Sequence, residues 1–317
     1  MSPRIVVVGA VHEALPLLTR LIEERPETLA GLVTFEQDLL EQQSGWVDLV
    51  TPAREAGVPV LRVRNLNSHE SRATLARLSP DLLVVVGWTR LLSAEVLAMP
   101  PRGAVGFHAS LLPHNRGRAP VNWQIIRGDR TGGNTMMQLD SGTDTGDIVD
   151  QMPIEISDGD TCATVYDRVA DAGATMLLRT LDALTEGRAA RRPQDPQAGS
   201  VNGRRTPEMG VTDWRRNARE LHNWVRAQTR PYPGAFGTLE GRAVRLWAAA
   251  VADETTPGTP GHVLAADEDG LLVQCGTGQL LITDLETEGG THPEVGAVFD
   301  PIDDATRDWS LGLAERP

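Results

Sequence analysis

Long apolar runs are missing from this 317-residue chain, and so is any excess of positive charge. Hydrophobic residues make up 40% of it, yet no run approaches the length that crosses a bilayer, so a protein without a membrane partner is expected. The opening MSPRIVVVG enters a strand almost at once and lacks the layout of a secretory leader, which sets the expected location in the cytoplasm. Only two cysteines occur, Cys162 and Cys275, far apart; they read as free thiols of a reducing compartment. No Cys/His cluster has metal-ligand spacing, and no metal is expected. Gly9 is followed by AVHEA rather than GxGxxG, so the nicotinamide dinucleotide fingerprint is absent. The net charge of −13 opposes a polyanion at low salt. It counts against a nucleic-acid partner, but not against a small phosphorylated one.

What is present alternates. RIVVV (Arg4 to Val8), GLVTF (Gly31 to Phe35), VPVLRV and DLLVVVGW (Asp81 to Trp88) are continuous β-rich runs separated by helical patterns. That order is typical of a doubly wound, mostly parallel sheet. Pro16 must sit in the first turn of the first helix or kink it. A long amphipathic helix is predicted over Thr161 to Glu186, closed by Gly187. RAARRPQDPQAGSVNGRRTP reads as a linker without periodicity. After it come one helix (WRRNARELHNWVRAQ) and several short strands separated by turn signals, the pattern of a small β-barrel or sandwich. The expected division is a Rossmann-like α/β domain over 1–190, a linker over 191–206 and a smaller helix-plus-β-barrel domain over 207–317.

The chemistry concentrates between Gly103 and Gln151. A short strand ends in His108, a Pro/Gly/Arg-rich loop follows (ASLLPHNRGRAP), and a second strand leads into DSGTDTGD. An open α/β sheet builds its site from such strand ends. His108 is the side chain suited to proton transfer near neutrality, and a carboxylate from Asp144 would fix its tautomer and favour its charged form. Ser110, Arg116 and Arg118 offer polar contacts to a ligand. From the residues alone the site reads as a transferase or a hydrolase with a His–Asp pair.

HASLLPHNRGRAP, then NW, then DSGTDTGDI, resembles the signature of the 10-formyltetrahydrofolate-dependent formyltransferases. RRTPEMGVTDW and LHNWVRAQTRPYPGAF extend the likeness into a second domain. The resemblance implies 10-formyltetrahydrofolate as formyl donor, His108 as the catalytic histidine and Asp144 as its partner. It implies a folate pocket from Arg90, Leu91 and Leu92, a wall from Ser110, Leu111, Leu112 and Pro113, and a pterin-facing loop Asp140, Ser141, Gly142, Thr143 with Arg118. The acceptor it favours is a small primary amine, an amino sugar on a nucleotide first and an amino-acid-derived amine second. Methionyl-tRNA formyltransferase is the alternative within the family, and a homodimer is left open.

One position departs from the pattern. Where the family has Asn-x-His, this chain has Gly106, removing an amide that would stabilise the developing oxyanion. Three readings follow: Asn134 or a water substitutes; the chain is a 10-formyltetrahydrofolate hydrolase; or it is a non-catalytic relative that binds folate or a sugar.

Overall fold

Continuous β-branched runs, buried on both faces, build the sheet that carries the candidate residues. The structure is a computed structural model, described over residues 2–195, 197–290 and 292–316. Strands β1 (Ile5–Gly9), β2 (Leu29–Phe35), β3 (Val60–Val63), β4 (Leu82–Val86) and β5 (Ala104–His108) are parallel and lie in the order β3-β2-β1-β4-β5. After the two-residue strand β6 (Arg116–Gly117), the antiparallel strands β7 (Thr131–Gln138) and β8 (Ile148–Glu155) extend the sheet beyond β5. The strand order reverses between β1 and β4, where an open α/β sheet opens a crevice at its carboxyl ends. His108 is the last residue of β5, the next strand along.

Alternation along the strands divides the core into two faces. Ile5, Val7, Val84, Val105 and Met136 pack under Leu17, Leu18 and Leu21 of helix Ala14–Glu24 and under Met176, Leu177 and Leu181 of helix Cys162–Glu186. Val6, Val8, Val33, Leu83, Val85 and Ala104 pack on the other face against Leu75 and Val96. Pro16 falls in the first turn of its helix, where no intrahelical N–H bond is lost, and Gly187 ends the long helix with φ +76°. The short helix Ala94–Leu97 was not anticipated.

Packing groups residues 1–117, 131–155 and 166–201 into one unit, and residues 118–130, 156–165 and 202–317 into a second. This differs from a cut at a linker over 191–206, because 118–130 and 156–165 cluster with the carboxyl-terminal residues. Nor is the stretch before residue 201 a bare tether. Arg192 exchanges two backbone hydrogen bonds of 2.8 Å with Ile148, so this stretch pairs with the first residue on the free edge of β8.

In the second unit, beyond β9 (Val201–Asn202), lie β10 (Ala235–Leu239), β11 (Arg242–Pro257), β12 (Val263–Asp267), β13 (Gly270–Gln274) and β14 (Thr277–Thr287). They form one antiparallel sheet in the order β10-β11-β14-β13-β12. No pairing joins β10 to β12 among the described residues; the sheet and its helix are the smaller helix-plus-β domain expected after the linker. Helix Ala218–Arg226 starts on a reciprocal capping box between Asn217 and Glu220. Arg205, in the stretch that reads as a linker, lies between the rings of Trp123 and Trp224, 4.7 and 4.8 Å from their centroids. It donates to the carbonyls of Met209 and Ser310 and to Gln228, and burial pushes its guanidinium down to about 10. Trp214 packs on Phe299, and Trp224 is fully buried. These rings belong to the core of the second unit.

Two consequences are measurable. Arg205→Lys keeps a charge but loses the planar guanidinium between the rings, and it should lower unfolding stability by about 2 kcal/mol in denaturant titration. Cys162 and Cys275 are fully buried, and burial pushes both thiols up to about 12. Native protein at pH 8 should therefore take up no iodoacetamide by mass spectrometry, and unfolded protein two equivalents; a native adduct would contradict the burial.

Candidate active site

The first unit brings His108, at the end of the interior strand β5, together with Asp144 of the loop after β7. His108 is only 8% exposed, and its Nδ1 lies 3.6 Å from Asp144 Oδ2. That is an ion-pair distance, beyond a hydrogen bond. Its Nε2 lies 2.7 Å from the Asn115 carbonyl. A carbonyl only accepts, so Nε2 carries a proton and the bare or protonated Nδ1 faces the carboxylate. The ring thus spans two acceptors, an arrangement able to hold and pass a proton.

Asp144 is held in turn. Its Oδ2 accepts the Gly117 backbone N–H at 2.8 Å, and its backbone is left-handed at φ +55°, a conformation uncommon for a residue with a Cβ. Two glycines shape the loop around it. A Cβ on Gly146 would stand 1.7 Å from the Gln138 carbonyl, and one on Gly142 would stand 2.0 Å from Thr145 Oγ1. Asp140 closes the turn by accepting from the Gly142 N–H and the Thr145 hydroxyl, both at 2.9 Å, while Ser141, Gly142 and Thr143 are exposed.

Sequence reasoning missed Gln194. Its amide nitrogen donates to the carbonyls of Asp144 and Gly146 at 2.9 and 2.7 Å. Its oxygen accepts from Arg116 at 3.1 and 2.8 Å. Arg116, expected to face a ligand, is buried and spent on this network. The signal for Gln194 was hidden inside a segment read as linker.

The preceding loop is pinned by Thr135, which stands opposite His108 in the β5–β7 ladder. The Thr135 hydroxyl donates to the Ser110 carbonyl at 2.6 Å and accepts the Leu112 N–H at 3.1 Å. Gln151 adds a bond to the Leu112 carbonyl. Ser110 is fully buried, its hydroxyl donating to the His114 carbonyl, and Leu111 packs over Gly133. Pro113 lies against Gly199.

The segment Arg90–Leu92 approaches from β4. The Arg90 guanidinium lies 4.9 Å over Phe35 and donates to the Arg64 carbonyl; Leu91 is 71% exposed, with its carbonyl taking an amide proton from Asn67. Leu92 and Leu139 pack in one apolar cluster with Ala104. Alternation puts Ala104, Gly106 and His108 on that same face. Arg118 belongs to the second unit, where its N–H donates to the Asn202 carbonyl.

Two positions bear on the missing amide. The space a side chain at Gly106 would need is filled by Leu139, whose Cδ2 would be 2.6 Å and Cγ 3.0 Å from a Cβ there. Asn134 precedes Thr135 in β7 and so points to the opposite face from His108, where its amide nitrogen donates to the Val169 carbonyl at 2.8 Å. The structure does not bring Asn134 to the imidazole.

Residues 4–181 match the model of the formyl transferase family, and residues 204–298 that of the formyl transferase C-terminal domain. The chain belongs to the formyl transferase family. It is an N-formyltransferase, with 10-formyltetrahydrofolate as the donor this family uses. It is 37% identical over 290 residues to the methionyl-tRNA formyltransferase of Geobacter metallireducens, covering 90% of this chain and 91% of that protein. It is 36% identical over 297 residues to that of Acetivibrio thermocellus, covering 92% and 94%. Among solved structures, HypX from Aquifex aeolicus in complex with tetrahydrofolic acid aligns at TM-score 0.65 and 19% identity. That alignment covers 98% of this chain and about half, 48%, of HypX. WlaRD, a sugar 3N-formyl transferase, aligns at TM-score 0.65 and 15% identity over 89% and 98% of the two chains. Both likenesses concern the fold.

The Gln194 network carries a prediction. Gln194→Glu retains the acceptor for Arg116 but cannot donate to the Asp144 and Gly146 carbonyls. Formyl-transfer kcat should fall about 10- to 100-fold, with faster amide exchange at Thr145 and Gly146. Unchanged exchange there would remove the positioning role.

Proposed function

We propose that formyl transfer runs through the His108–Asp144 pair, with the unprotonated Nδ1 of His108 taking the proton of the attacking amine and the Asp144 carboxylate stabilising the imidazolium that results. The observation that carries this reading is the enforced meeting of the two side chains, in a chain matched by both domains of the family. The donor supplies the formyl group. The slot suited to its flat, polar-edged ring is formed by Arg90, Leu91 and Leu92 together with the turn from Asp140 to Asp144, with Ser110 to Pro113 as wall. The shared apolar cluster of Leu92 and Leu139 and the exposed main chain of Ser141 to Thr143 support that placement. With Gly106 lacking an amide and Asn134 turned away, a backbone N–H or a water is left to meet the oxyanion.

The acceptor that the relatives support is methionyl-tRNA, the substrate in the names of proteins 36–37% identical over nine-tenths of the chain. This reading displaces the amino-sugar nucleotide expected from sequence, which retains only structural neighbours of low identity. A small primary amine remains a second reading because of charge. The net charge is −13, and the arginines of the second unit are largely committed: Arg215 to Asp213 and Asp304, Arg219 to Asp158 and Glu254, Arg230 to Asp284. Paired guanidiniums release fewer counterions on meeting phosphates.

The test is release of tetrahydrofolate from 10-formyltetrahydrofolate with methionyl-tRNA, with a panel of small amines, and without acceptor. Turnover should require methionyl-tRNA and fall about 100- to 10,000-fold in His108→Ala. Turnover with a small amine alone would transfer the assignment to the second reading. Turnover without acceptor would mark a hydrolase, and none under any condition would end the catalytic reading.

A further inference from the structure

The two acceptors around the His108 imidazole compete for its proton. The Asp144 carboxylate, 3.6 Å from Nδ1, favours a proton on that nitrogen, whereas the Asn115 carbonyl, 2.7 Å from Nε2, favours one on the other. A base that works through Nδ1 needs that nitrogen bare beforehand. The balance therefore depends on how firmly the Asn115 carbonyl is held against the ring.

That carbonyl is held from outside its own loop. The Asn115 C=O and the Arg116 N–H belong to one planar trans peptide and point in opposite directions. The Arg116 N–H donates to the Ser200 carbonyl at 2.9 Å, so the far end of the plane is anchored while its near end is turned toward Nε2. The preceding peptide is anchored as well, because the Asn115 N–H donates to the Ser200 hydroxyl at 3.0 Å. Ser200 thus grips both peptides that flank the Asn115 Cα. Between them the Asn115 backbone is left-handed at φ +61°, which asparagine tolerates better than most residues. Such a conformation persists only where its surroundings fix it; with an anchor gone, the carbonyl is free to swing off the ring.

The chain before Ser200 is shaped for this approach. Gly199 has φ +94°, and a Cβ there would stand 2.0 Å from the Pro113 carbonyl oxygen, so glycine lets Ser200 come this close to the loop. The grip lies in the stretch that reads as a linker, yet in the same unit as His108. Ser200 itself is exposed, so its hydroxyl can be removed without opening a hole in the core.

We infer that Ser200 is a positioning residue that sets the tautomer of His108, keeping the proton on Nε2 through the Asn115 peptide. The consequence for catalysis rests on the formyl-transfer reading; the location of the proton does not. The test is NMR of the full chain carrying nitrogen-labelled histidine, at a pH where the ring is neutral, with the His108 signals identified by their loss in His108→Ala. Wild-type Nε2 should show the shift of a protonated nitrogen and Nδ1 that of a bare one. Ser200→Ala should fold, bring the two signals toward each other as Nδ1 takes a share of the proton, and lower formyl-transfer kcat about tenfold with little change in the KM for 10-formyltetrahydrofolate. Ser200→Thr, which restores the hydroxyl, should recover the wild-type signals. A wild-type proton on Nδ1 would overturn the inference. Unchanged signals in Ser200→Ala would overturn it too, even with a loss of kcat. A shifted tautomer with undiminished kcat would keep the role of Ser200 and reject Nδ1 as the base.

Discussion

The carboxylate of Asp144 joins the loop after β7 to the loop after β5. One of its oxygens accepts the Gly117 N–H and also faces the His108 imidazole. A hydrogen bond to a backbone amide fixes where a carboxylate sits, and the charge that remains then acts on the ring from a set direction. The other contacts of the region serve this placement. The glycines of the DSGTDTG turn let the chain curl beneath Asp144, Gln194 ties down its carbonyl, and Thr135 holds the strand end that presents His108. The left-handed backbone at Asp144 persists because these contacts over-determine it.

Much of this was legible in the chain because periodicity and glycine placement report on backbone demands. The β-branched runs around Val7, Val33 and Val84 marked strands buried on both faces, and those strands set the crevice. His108 was legible by its place at the end of such a run, and Asp144 by the glycines around it. What escaped depends on long-range pairing. Nothing local in RPQDPQAG shows that Gln194 will reach two carbonyls about 50 residues away, because a polar side chain in a Pro-rich stretch has the same local signature whether free or bound. The direction of Asn134 escaped for a related reason. A strand alternates its faces, and only the register against β5 decides which face meets the histidine.

Charge illustrates the limit of composition. A net −13 describes the far field, whereas recognition depends on which guanidiniums remain uncommitted after folding. All 30 cationic side chains are arginines, with no lysine in the chain. The planar fork of arginine suits the structural uses seen here, between two indoles at Arg205 and along carboxylates at Arg215 and Arg179.

Leu139 fills the space a side chain at Gly106 would need, and this couples the two positions. An asparagine restored at position 106 would meet the Leu139 side chain at Cδ2, Cγ and Cδ1 together, so the whole isobutyl group would have to move. The two positions therefore form an epistatic pair. Introducing the amide alone would cost packing, and an asparagine at 106 needs a smaller or relocated residue at 139 before it can fit. Any engineering of a side-chain amide at this strand end is therefore a two-site problem.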